Sequence, residues 1–253
     1  MRIDLNSDLG EGFGPWVMGD DAAMLGLVSS ANVACGGHAG DPEVMYATVM
    51  LANSKGVVIG AHPGYADREG FGRRIIPMSA AEIERMVAGQ TGALMGVAAL
   101  AGAQVRYVKA HGALANLAAD DRGVAEAIAR AVRAVSRDLA VLAISGTEQE
   151  GAALAQGLEV HSEIFADRGY LPNGRLVPRK LPGAMIEGSE RAAGRLLGFL
   201  ESGLMPVVGG NPIRLRAQSI CVHGDSKGAV AMARHLRMTL QAAGHVIAPF
   251  ISQ

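Results

Sequence analysis

The chain has 253 residues, enough for one domain with a sizeable core, and no stretch changes composition sharply enough to mark a linker. Charged residues make up 19%, the formal net charge is -1 and aromatic residues reach only 4%, which excludes a basic footprint for nucleic acid or an anionic membrane and leaves few platforms for stacked bases. The two cysteines, Cys35 and Cys221, form no C-x-x-C pair and hence no zinc knuckle, and the longest apolar windows, such as 92–103, fall short of the roughly 20 residues of a membrane helix.

The N-terminus, M-R-I-D-L-N, reads directly as strand without the basic and apolar regions of a signal peptide, so a cytoplasmic protein with reduced thiols is expected. Strands are expected at 2–6, 28–33, 57–61, 105–109, 139–144, 160–165 and 219–222, short β-branched runs separated by longer stretches of helical period. Helices are expected at 42–54, with Asp41 as N-cap and Pro42 at the first helical position, and from the capping box Ser79-Ala80-Ala81-Glu82 to about residue 101. Further helices fall at 120–136, 147–156, 187–201 and 225–243. Glycine, proline and asparagine break any period over 169–183, where Arg175, Arg179 and Lys180 cluster, so a long loop or small hairpin is predicted there; 205–218 reads as a second hairpin.

Strand after strand ends in polar residues and glycines: D-L-N-S-D-L-G-E-G-F-G, N-V-A-C-G-G-H-A-G-D, G-A-H-P-G-Y-A-D, V-K-A-H-G-A-L-A-N, E-I-F-A-D-R-G-Y and C-V-H-G-D-S. Parallel strands put these ends on one face, where α/β folds build their sites, so Asp8, Glu11, His38, Asp41, His62, Asp67, Lys109, His111, Asp167, Arg168, His223 and Asp225 are expected around a shared pocket. His38, His62, His111 and His223 each follow a strand by one or two residues, suiting general acid or base work. Asp8, Asp67, Asp167 and Asp225 can act as acids or bases, bind a metal or hold a histidine tautomer; Asp225 can equally cap the last helix. Asn6 and Asn32 sit at strand termini, where pinning of neighbouring loops and substrate contact are both open. Lys109 suits either neutralisation of a carboxylate or phosphate or an ion pair with one of the aspartates, and Cys35 reads as a buried, inert thiol.

In order along nearly the whole chain, these motifs, with G-F-G-R-R at 70–74 and L-V-P-R at 176–179, resemble the 5-oxoprolinase A-subunit family, also called the LamB/YcsF lactam-utilisation family. The resemblance implies an α/β fold, a single-domain seven-stranded (β/α) barrel of the glycoside hydrolase/deacetylase type. It also implies ATP-dependent opening of 5-oxoproline to L-glutamate with partner subunits B and C, MgATP being the co-substrate. In that scheme Asp8, His38, His62, Lys109, His111, Asp167 and His223 are the catalytic candidates. Asn6, Glu11, Asn32, Asp67, Arg73, Arg168 and Asp225 are the candidates for contacting substrate or phosphate. Ala110 and Ala115 stand where the family usually has proline and tyrosine, and Gly37 where a bulkier residue commonly precedes the histidine, so a roomier pocket and a related lactam as substrate come into view.

Two alternatives accompany this reading. Metal-dependent deacetylases of the same fold bind a divalent ion through one aspartate and two histidines, which Asp8, His38 and His62 can supply for amide hydrolysis without ATP. A ligand-binding subunit, inert without its partners, is the other.

Overall fold

The computed structural model describes residues 1–225 and 228–252. Its centre is a run of parallel strands, β1 (Arg2–Leu9), β2 (Ser30–Ala34), β3 (Val58–His62), β4 (Val105–Val108), β5 (Ala140–Ile144) and β6 (Val160–Phe165), each paired with the next. A small antiparallel hairpin, β7 (Leu204–Met205) and β8 (Ile213–Arg214), precedes the last barrel strand, β9 (Ser219–Cys221). Strand β9 pairs with both β6 and β1, closing a seven-stranded parallel barrel. Every residue of β2, β3, β5 and β9 is buried, as strands with helices outside and side chains within require.

The outer layer holds α1 (Asp21–Met24), α2 (Pro42–Ser54), α3 (Ala80–Leu100), α4 (Gly112–Asp120), α5 (Arg122–Val135), α6 (Glu148–Ala155), α7 (Ser189–Ser202) and α8 (Ala229–Ala242). Asp41 caps α2 by accepting from the Glu43 and Val44 amides, and Ser79 with Glu82 closes the capping box of α3. Helix α5 buries Ala125, Ala127, Ala129 and Ala131, whose small side chains let it lie close against α3 and α6. No helix among the described residues is long and apolar enough to cross a membrane.

Three short elements go beyond the sequence expectations. Helix α4 forms although Gly112 and Asn116 weaken its propensity; Asp121 then leaves the helical region at φ -95° and ψ 105° and caps α5 through the Val124 amide. Helix α1 is a single turn capped by Asp20, and β10 (Val246–Ile247) extends the sheet beside the start of β1. The final helix, expected from 225, is described from Ala229; residues 226 and 227, including Ser226 of the C-V-H-G-D-S motif, lie outside the described residues. Asp225 does not cap it, because it is engaged with Arg73 at 2.5 Å.

Candidate active site

Alternate side chains of β1 start a polar chain across the barrel interior. Asp4 accepts from Ser29 (2.6 Å), Ser30 (2.7 Å) and Ser219. Asn6 donates to Ser219 Oγ at 2.6 Å and Glu163 Oε2 at 3.3 Å, while Asn32 donates to Asn6 Oδ1 at 2.7 Å and Asp8 Oδ1 at 2.8 Å. Tyr107 donates to Asn32 Oδ1 at 2.6 Å. Lys109 Nζ ends the chain between Asp8 (3.0 Å), Glu163 (3.2 Å), Asn6 Oδ1 (3.3 Å) and Cys221 Sγ (3.1 Å). Burial alone would neutralise these groups. For Asp8, however, His62 and Lys109 outweigh burial and hold the carboxyl well below its ordinary range. Burial likewise works against the Lys109 charge, and Asp8, Cys221 and Glu163 more than restore it.

Above this chain, two histidine groups face the strand ends. His223 Nδ1 lies 2.9 Å from both Asp167 oxygens, so the carboxylate fixes the ring with Nδ1–H and leaves Nε2 as the acceptor. Burial raises the Asp167 carboxyl and His223 pulls it below its usual value. Beside them His38 stacks on His111 with centroids 3.6 Å apart, and His62 meets His111 edge-on. His38 Nε2 is 3.0 Å from Glu11 Oε1, and His62 Nε2 is 3.3 Å from Asp8 Oδ1. Burial drives His38 and His111 well below the ordinary histidine value and, with the Asp8 charge, pushes Glu11 up to about 8. Gly64 permits the stack, since a Cβ there would lie 2.9 Å from His38 Nδ1 and 3.1 Å from His111 Cβ.

A cavity of about 570 Å³, within the range of small-molecule sites, opens over these groups. Asp8, His62, Lys109, His111, Glu163 and His223 form its floor, and Arg73, Arg175, Arg179 and Lys180 its cationic rim. The segment at 169–183 supplies much of that rim, held by Arg168, which donates to the Val177 and Ala184 carbonyls.

A family model described as the LamB/YcsF family matches residues 3–253. The chain belongs to that family. Relatives named as the A subunit of 5-oxoprolinase are 52% identical in Rhodopseudomonas palustris, over 99% of both chains, and 48% identical in Nitrobacter hamburgensis, over 99% of this chain and 98% of the relative. The solved structure of a lactam utilization protein from Thermus thermophilus is 40% identical and superposes with a TM-score of 0.92, covering 98% of this chain and 99% of that one.

Within this LamB/YcsF chain, the residues expected to share a pocket divide by role. Asp8, His62, Lys109, His111, Arg73, Arg168 and His223 line the cavity, with Asp167 behind His223. Glu11 and His38 are buried behind His111, and Asn6 and Asn32 lie beneath as hydrogen-bonding struts, the pinning side of the alternative left open for them. Asp67 turns away, holding Arg74 and the Gly70 amide within its own loop. Lys109 is engaged by Asp8, Glu163 and Asn6, Arg168 is held to the Val177 and Ala184 carbonyls, and Arg73 is paired with Asp225, so among the described residues Arg179 and Lys180 are the rim cations best placed to meet an anion. Ala110 and Ala115 line the cavity, whereas Gly37 does not: a Cβ there would sit 2.6 Å from the Gly64 carbonyl oxygen. Sequence reasoning passed over Glu163, Asp4 and Tyr107. Their signal was a polar residue within a buried strand, as in V-H-S-E-I-F, where the acid must face the lumen.

Proposed function

We propose that this chain is the lactam-opening component of an ATP-dependent 5-oxoprolinase, producing L-glutamate together with subunits B and C. The observation that carries this reading is one cavity that combines a carboxylate-held histidine with a cationic rim, in a chain 52% identical to a relative named as the A subunit of 5-oxoprolinase.

An unstrained lactam resists water because resonance stabilises its amide. Transfer of the γ-phosphoryl group of MgATP to the lactam oxygen releases ADP and makes the ring carbon electrophilic. Water adds to that carbon, the C–N bond breaks to free the amine, and a second water releases phosphate from the remaining acyl phosphate. Two waters and one ATP thus yield glutamate, ADP and phosphate. In this scheme His223 Nε2, with the ring oriented by Asp167, takes the proton of the attacking water and returns it to the departing nitrogen. Asp8, kept ionised, offers a second acceptor on the cavity wall. Arg179 and Lys180, joined by Arg73 where it exchanges Asp225 for the ligand, offset phosphate and substrate carboxylate charge.

The test is glutamate release from 5-oxoproline and MgATP by the purified chain, alone and with candidate B and C subunits. Turnover confined to the full mixture is expected. Glutamate from the chain alone without ATP, or from no mixture, overturns the reading.

A further inference from the structure

The histidines beside the cavity converge in a way that lactam opening by His223 does not use. His62 Nδ1 lies 2.7 Å from the Lys109 carbonyl oxygen, and His111 Nε2 lies 2.8 Å from that of Phe71. A carbonyl only accepts, so both of these nitrogens carry the hydrogen. The remaining nitrogens, His62 Nε2 and His111 Nδ1, then aim lone pairs at each other across 3.0 Å unless a cation, a proton or a metal ion, sits between them and beside Asp8. Asp8 Oδ1 lies 3.3 Å from the first and Glu11 Oε1 3.8 Å from the second, so four acceptors, two of them on acids, converge. A proton relieves one pair of them; a divalent ion relieves several at once.

We propose that Glu11 Oε1, His62 Nε2 and His111 Nδ1 form a divalent transition-metal site on the cavity wall, with His38 orienting Glu11 from behind. Ligand atoms drawn from Glu11, His38, His62 and His111 all lie within 4.8 Å of one another, a group that does not include Asp8. Tetrahedral bonds of about 2.0–2.1 Å separate ligand atoms by about 3.3 Å, and the spacings of 3.0 and 3.8 Å bracket that value. Each proposed histidine ligand donates its other N–H to a backbone carbonyl, the outer support that fixes tautomer and ring orientation at metal sites. His38, stacked on His111 with ring planes 5° apart, turns its Nε2–H to Glu11 and so offers no lone pair there to the ion. Two imidazoles and a carboxylate suit zinc, manganese, cobalt or iron better than magnesium or calcium. His62 and His111 line the cavity, so an ion held there would offer an open position to bound water or an amide oxygen. This set differs from the Asp8, His38 and His62 combination of the alternative deacetylase reading; Asp8 Oδ1 is engaged by Lys109 and Asn32.

The site is tested independently of turnover. The full chain, stripped with a chelator, is reloaded separately with Zn²⁺, Mn²⁺ or Co²⁺, and bound metal is measured after gel filtration alongside melting temperature and the visible spectrum of the cobalt form. One ion per chain, a higher melting temperature and a cobalt d–d band are expected. Glu11→Gln and His111→Ala should lose the ion, Glu11→Gln being near-isosteric and therefore readable should His111→Ala fold poorly. Asp8→Asn should keep it, and His38→Ala should keep it with affinity about 10–100-fold weaker. No retained metal in the native chain, or loss in Asp8→Asn with retention in Glu11→Gln, overturns the proposal; the first result leaves a shared proton between His62 and His111.

Discussion

Asp4 and Asp8 lie on one strand and one side of it, yet their surroundings drive them in opposite directions. Burial pushes Asp4 from 3.8 up to about 6 despite three hydroxyl donors, whereas Asp8 has a lysine and a histidine to hold its charge. An acid with a raised folded value keeps its proton longer in the native state, so its contribution to stability falls as pH rises from about 4 to about 6 and stays low above that. The span from 3.8 to about 6 corresponds to about 3 kcal/mol. Asp4→Asn keeps the shape without the charge, and the serine hydroxyls can turn to meet it. Its urea-unfolding free energy relative to the native chain should therefore climb across that window by up to about 3 kcal/mol; a difference that does not vary with pH would refute the assignment. For Asp167 the expectation is kinetic. Asp167→Asn removes the carboxylate that fixes His223, so kcat in the reconstituted reaction should fall at least 100-fold with KM within a few-fold, and an unchanged kcat would remove the pair from the chemistry. The post-strand histidines were legible because their position, not their type, marked them. Asp67 looked equivalent, but a neighbouring arginine, Arg74, outcompeted the pocket for it.

Strand β3 shows how an element can be tuned by what it lacks. The register between β3 and β4 shifts at Ile59 and Gly60, and a Cβ on Gly60 would enter the Tyr107 ring. A glycine inside a strand marks such close approach. Gly60→Ala should push Tyr107 off Asn32, and with it one of the struts under Asp8, at a cost of about 2–4 kcal/mol from overpacking and an unpaired buried oxygen. Tyr107→Phe, which deletes only the hydroxyl, should cost about 1–3 kcal/mol. Urea midpoints decide it; an alanine at 60 within 0.5 kcal/mol of the native chain, roughly the scatter of neutral surface changes, would contradict the contact. The longer elements were readable because β-branched runs and caps are local signals: Asp41 and the Ser79–Glu82 box start their helices as expected. Helix α4 was not, since packing of Ala113, Leu114 and Ala118 into the core overrides Gly112 and Asn116, and a two-residue strand such as β10 has no period to detect.

At the scale of the molecule, the barrel separates its two ends. The carboxyl ends of the strands hold the histidines, carboxylates and cavity, while the opposite end is covered by residues 246–251. There Val246 and Ile247 pair with Arg2 and Ile3, and Phe250 lies over Tyr107 at a centroid distance of 4.9 Å and beside His161 at 4.7 Å. Phe250 and Ile251 cover a small apolar cluster of Val58, Tyr107, Ala140 and Leu142 that is separate from the main core. In barrels of this kind the loops at one end serve chemistry and the other end serves stability. Phe250 is half-buried, so truncating it should cost about 2 kcal/mol, less than a fully buried phenylalanine. For a chain of this length that lowers the melting temperature by about 4–8 °C. Because Phe250 touches the outer side of Tyr107's ring and not the cavity, Phe250→Ala should leave kcat and KM of the reconstituted reaction within about two-fold at temperatures well below the transition. If that variant instead lost turnover while remaining folded, the polar chain through Tyr107, Asn32 and Asp8 would have to transmit the change from one end of the barrel to the other, and the separation of the ends would fail.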